Sequence, residues 1–90
     1  MLELNFGSFV LSKAGHDKDE IFVILKADSE YVYLLDGIYK TFEKPKKKNR
    51  KHVHLIEYTD ENLNLKFKNH EKIINEDIKR AIKLYRNSKK

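Results

Sequence analysis

The side chains best suited to chemistry in this 90-residue chain are its histidines and a run of lysines. His52 and His54 lie two apart, a spacing that puts both on one face of a strand, where they could chelate a metal or share acid–base work. A third metal ligand would have to come from His16, His70 or Glu57 by tertiary contact, because the chain has no cysteine and no carboxylate cluster beside the pair. No metal and no cofactor are expected on this pattern. Gly7, Gly15 and Gly37 are isolated from one another, so no glycine-rich loop exists to cradle a phosphate. The serines show no nucleophile elbow. A histidine-dependent ribonuclease rests on the His52 and His54 pair alone and is a minor alternative.

The lysines say more. Between residues 39 and 54, Lys40, Lys44, Lys46, Lys47, Lys48, Arg50 and Lys51 face Glu43 alone, a local charge of +6 in a chain whose net charge is +5. Residues 1–38 are acidic by four and residues 55–90 basic by three, so the excess is local. Like charges this dense repel one another unless an anion approaches, which makes the segment either a contact surface or a solvated arm. Lysines beside a sheet can release counterions from a phosphate backbone, and Tyr39, Phe42, Asn49 and His52 are placed to stack on unpaired bases or hydrogen-bond them. For Tyr39 or Phe42 singly, packing in the core is the simpler account. The preponderance of lysine over arginine favours affinity for the backbone over reading of bases.

These side chains need elements to hold them. Residues 8–13, 20–26, 31–35, 38–42 and 51–56 have the apolar, β-branched and aromatic content of strands. A glycine-containing loop at 14–19, a turn at Asp28-Ser29 and a tight hairpin at Asp36-Gly37 separate the first four. Pro45 argues for a loop or a sheet edge. Five short strands imply a mainly β fold, a small antiparallel SH3-like barrel over residues 1–58, with residues 40–52 as a basic loop. Residues 59–90 form a C-terminal extension of the same single domain. Within it Leu63, Leu65 and Phe67 alternate as in a short strand, while Asn62, Asn64 and Asn69 suit an irregular loop. Ile74, Ile78, Ala81, Ile82 and Tyr85 then fall on one face of an amphipathic helix over about 71–87, with Asn75 as its cap. Lys79, Arg80, Lys83 and Arg86 give that helix a solvated basic side. The apolar runs at 21–25 and 31–35 are far too short to span a membrane. A monomeric cytoplasmic protein is expected.

The segment Gly7-Ser8-Phe9-Val10-Leu11-Ser12-Lys13-Ala14-Gly15-His16-Asp17-Lys18, followed by the strand at 21–25, resembles a KOW motif. Asp36-Gly37 and then Lys44-Pro45-Lys46-Lys47-Lys48-Asn49-Arg50-Lys51-His52 are similar to the small bacterial KOW-domain RNA-binding proteins, relatives of certain large-subunit ribosomal proteins of archaeal and eukaryotic type. Asn75-Glu76-Asp77-Ile78-Lys79-Arg80-Ala81-Ile82 resembles the closing helix of those chains. The resemblance implies a KOW-type SH3-like barrel that binds ribosomal or ribosome-associated RNA without catalysis. Its contacts would come from Lys13, His16 and Lys18 in the first loop and from 44–52. Asp19 stands where the family commonly has a second glycine, and Asp17 and Asp19 would repel a phosphate, so the weight falls on 44–52. The alternative is a protein-interaction module that docks an acidic partner of the transcription or translation machinery, as KOW domains of the NusG type can.

Overall fold

Alternation along the strands sends side chains to two faces of one sheet, and each face carries a buried apolar cluster. The computed structural model describes residues 4–88. Its elements are β1 (Phe9–Ser12), β2 (Ile21–Ala27), β3 (Tyr31–Leu35), β4 (Lys46–Asn49), a 3-10 turn (Arg50–His52), β5 (Val53–Ile56), α1 (Glu61–Lys68) and α2 (Asn75–Ser88). The strands form one antiparallel sheet in the order β4-β3-β2-β1-β5. On its outer face Phe9, Val23 and Leu35 pack against Leu63 of α1 and Ile78, Ala81, Ile82 and Tyr85 of α2. On its inner face Val10, Phe22, Ile24, Val32, Leu34 and Val53 form a second core to which no helix contributes. No helix among the described residues is long and apolar enough to cross a membrane.

Aromatic packing joins the layers. Phe9 meets Tyr58 edge-on at 5.0 Å, Tyr58 meets Tyr85 at 4.7 Å, and Phe9 lies 5.6 Å from Tyr85. Such pairs add about 0.5–1.5 kcal/mol each beyond the area they bury. A bulge between Ile24 and Lys26 inserts one residue into β2, so that Lys26 comes to pair with Tyr33 on the outer face.

Three expectations are corrected. Residues 38–42 form no strand. The Asp36 carboxylate accepts the backbone N–H groups of Ile38, Tyr39 and Lys40, each at 2.8 Å, and curls the chain into a loop where a two-residue hairpin was expected. The fourth strand is instead β4, within the supposed basic loop, paired to β3 at the sheet edge and entered just after Pro45. Residues 61–68 are helical, neither strand nor loop. Asp60 caps this helix by accepting from Leu63 N at 3.0 Å, and His70, with φ +58°, closes it as Glu71 N bonds Lys66 O and His70 N bonds Phe67 O.

Asn75 does not cap α2 either. Its Oδ1 accepts from Phe42 N at 3.0 Å and its Nδ2 donates to Glu43 at 3.0 Å, which fastens the 36–45 loop to the helix. The N-terminal turn is closed by Asp77, whose Oδ2 accepts from Ile74 N at 2.9 Å while Lys66 of α1 reaches its Oδ1 at 3.1 Å. Gly37 is where the loop touches the helix backbone: its φ is +82°, and a Cβ there would lie 2.5 Å from Asn75 O and 2.6 Å from Lys79 N. Gly37→Ala therefore combines overpacking with left-handed strain and should destabilise the protein by about 2–4 kcal/mol in urea titrations. A change below about 0.5 kcal/mol would show that the loop is not held against α2.

Candidate nucleic-acid interface

The pairing of β4 divides the basic segment between the two faces. Lys46 and Lys48 oppose Leu34 and Val32 and so point inward, whereas Lys47 and Asn49 oppose Tyr33 and Tyr31 and point outward. The inward pair is taken up by Asp17 of the β1–β2 loop. Lys48 Nζ donates to Asp17 Oδ1 at 2.8 Å and to Ala14 O at 2.9 Å, and Lys46 Nζ lies 3.1 Å from Asp17 Oδ2. The Ser12 hydroxyl also donates to Asp17 Oδ1, at 2.7 Å. Lys46 meets Oδ2 as an ion pair without hydrogen-bond alignment. Burial pushes the Asp17 carboxyl upward, but the hydrogen bonds from Lys48 and Ser12 and the adjacent Lys46 ammonium outweigh it and hold the group well below the usual carboxylate range. With its side chain only 9% exposed, Lys48 is a structural cation and presents little to an outside ligand.

The outward side chains form a different surface. Lys26, Tyr33 and Lys47 are paired in register across β2, β3 and β4, with Tyr31 and Asn49 as the next pair. Lys26 Nζ sits 4.8 Å from the centre of the Tyr33 ring, and Lys47 Nζ sits 4.2 Å from that of Tyr31. Both rings are half-exposed and both lysines exposed. The turn that delivers Tyr31 is fixed by Asp28, which accepts from Glu30 N at 2.8 Å and Tyr31 N at 2.6 Å; these bonds hold the Asp28 carboxyl below its usual range. Arg50 braces the same turn, donating to Asp28 O at 2.6 Å, and its own N–H bonds Glu30 O.

The remaining residues singled out from the sequence are dispersed around this patch. Lys13, His16 and Lys18 are exposed on the β1–β2 loop, which Lys48 ties to β4, so the two segments named by the resemblance are physically joined. The acid expected to repel a ligand, Asp17, makes that joint, and Asp19 takes φ +72°, the left-handed conformation that a glycine would favour. Asn49 caps the 3-10 turn by accepting from Lys51 N at 3.0 Å, Lys51 is exposed, and the carbonyl of half-buried His52 accepts from Lys13 N. Lys44 is exposed and Lys40 half-buried in the 36–45 loop, where Phe42 packs on the outer core and Tyr39 stands in solvent. No group of three or more histidine and acidic side chains suited to a metal occurs among the described residues.

Lys26, Tyr31 and Tyr33 were missed as site residues. The i, i+2 spacing of the tyrosines between buried Val32 and Leu34 was a signal for a shared face; the bulge that brings Lys26 beside them had none. Compared with protein-family models and with curated protein sequences, the chain matches none.

Asp17→Asn should cost about 2–3 kcal/mol of stability at pH 7, since it leaves two inward lysines without their anion. A carboxyl whose folded pKa is depressed stabilises fully above its unfolded value of about 3.9, and that contribution fades as pH falls toward the folded value. The gap between wild type and variant in urea titrations should therefore be full at pH 5–7 and narrow between about pH 4 and 2. A gap independent of pH would refute the ion pair as its source.

Proposed function

We propose that the protein is a noncatalytic RNA-binding module, an SH3-like barrel of KOW type, that lays unpaired RNA over the outer face of β2, β3 and β4. The observation that carries this reading is the interleaving of Tyr31 and Tyr33 with Lys26 and Lys47 on one open sheet face. Bases stack on half-exposed rings while ammonium groups meet the phosphates on either side, a combination that tolerates sequence and needs no catalytic group. Lys51, in the 3-10 turn directly after β4, is also exposed. The resemblance of residues 7–18 and 44–52 to KOW proteins supports ribosomal or ribosome-associated RNA as the target.

Fluorescence anisotropy with a labelled 12-nucleotide single-stranded RNA tests the reading. Engagement of about four phosphates gives a slope of log K against log salt near −3. Tyr33→Ala should weaken binding by about tenfold, within the range of about 1–3 kcal/mol found for one stacked base. Lys47→Glu should weaken it further as salt is lowered. Binding indifferent to salt, or unchanged when Tyr31 and Tyr33 are both alanine, would overturn the assignment.

A further inference from the structure

The basic side of α2 has an aromatic neighbour that its helical periodicity could not reveal. Tyr39 is 80% exposed and Ile38 56%, an exposure that small domains rarely impose on two consecutive large apolar residues without use. They are not loose. Asp36 holds their N–H groups, Asp36 N and Gly37 N both donate to Lys40 O, and Gly37 and Phe42 are seated on the first turns of α2. Between this loop and the helix runs a groove of about 400 Å³, floored by Ile21 and Ile82. That volume lies within the range of small-ligand sites and accommodates a nucleobase.

Lys79, Lys83 and Arg86 line the groove from the helix side. Spaced by four and three residues, they rise about 6 Å and 4.5 Å along the axis, close to the step between successive phosphates of an extended strand. Two acids also line it, Glu20 and Asp36, the latter accepting three backbone N–H groups through Oδ1, and Lys79 lies 3.7 Å from Glu76, so three cations face two lining acids. A ring presented in solvent, an apolar floor and a row of cations match an anionic polymer that carries flat, unstacked rings.

We propose that this groove is a second RNA contact, in which an unstacked base lies against Tyr39 and Ile38 and the adjoining phosphates meet Lys79, Lys83 and Arg86. The proposal rests on the RNA-binding reading and extends it to the helix side of the domain. The loop is tied down before the ligand arrives, so little ordering is lost on binding. The bound strand touches two sites, and one of them selects single-stranded character.

Tyr39→Ala removes a solvent-exposed side chain and leaves the fold intact. In anisotropy titrations with the 12-nucleotide RNA it should lower affinity about tenfold. Lys79→Ala combined with Lys83→Ala should flatten the salt slope by about 1.4, some 0.7 for each lost contact. Ultraviolet crosslinking of a 4-thiouridine version of the RNA should mark the peptide that contains Tyr39. If Tyr33→Ala weakens binding while the groove variants bind as wild type and the crosslink is absent, the groove proposal fails and the sheet reading stands. If wild type does not bind the RNA, both fail. A Tyr39-dependent complex with an acidic Glu-Leu peptide, with no Tyr39 dependence for RNA, would make the groove a protein site and overturn the proposal.

Discussion

The Asp17 carboxylate ties the first loop of the sheet to its edge strand. The loop that carries it joins β1 to β2, yet its carboxylate is bonded to Lys46 and Lys48 on β4, the edge strand beyond β3. The bond lies on the inner side of the sheet, where Val10, Phe22, Ile24, Val32, Leu34 and Val53 are buried. Two cations and a hydroxyl converge on a side chain that is 14% exposed. A partly buried charge costs several kcal/mol in lost hydration unless its partners replace the water, and here Lys48, Lys46 and Ser12 do so. Asp17 is the common member of these contacts, so its removal costs the arrangement more than the loss of any one of its partners.

The same contact fixes which side chains of β4 face outward. Side chains alternate along a strand, so a slip of one residue in β4 would reverse its faces. With Lys46 and Lys48 held inward by Asp17, Lys47 and Asn49 must face outward beside the tyrosines. The charge of the basic segment is therefore divided into an inward part, Lys46 and Lys48, that shares the single Asp17 carboxylate, and an outward part that faces solvent. An attraction between lysine and tyrosine of about 0.5–1 kcal/mol at an exposed site is weak enough for an incoming phosphate to displace it and strong enough to keep the rings oriented meanwhile.

Elements whose cause is local could be read from the sequence; those set by distant contacts could not. β1, β2, β3 and β5 have apolar side chains dense enough to fill one or both faces, and α2 repeats its apolar residues at helical spacing. β4 consists of Lys46-Lys47-Lys48-Asn49, with no alternation and little intrinsic preference for strand; it becomes one because β3 offers an open edge and Asp17, about thirty residues earlier, fixes its side. Residues 61–68 have period two in Leu63, Leu65 and Phe67, but only Leu63 is buried, and the helix is defined by its ends, Asp60 and His70. Asp36-Gly37 carries the dipeptide signal for a hairpin, and the Asp36 side chain, by taking three N–H groups, makes a wider loop instead. In the candidate site, the lysines were visible and their orientation was not.

That wider loop accounts for the surface on the helix side. A two-residue turn after Leu35 would have sent the chain straight back along the sheet, leaving nothing beside α2. Ten residues intervene between β3 and β4, and Gly37 and Asn75 hold their first half against the helix, the former because a Cβ on it would lie 2.5 Å from Asn75 O. Ile38 and Tyr39 then have no core to enter, since Leu35 and Ile82 already fill the outer layer beneath them. The fourteen residues of α2 extend about 21 Å and cover Leu35, but not Tyr31 and Tyr33, which lie further back along the same face of β3. One side of the sheet thus serves as core under the helix and as open surface beside it. A domain this small can present two aromatic and basic surfaces without giving up its core.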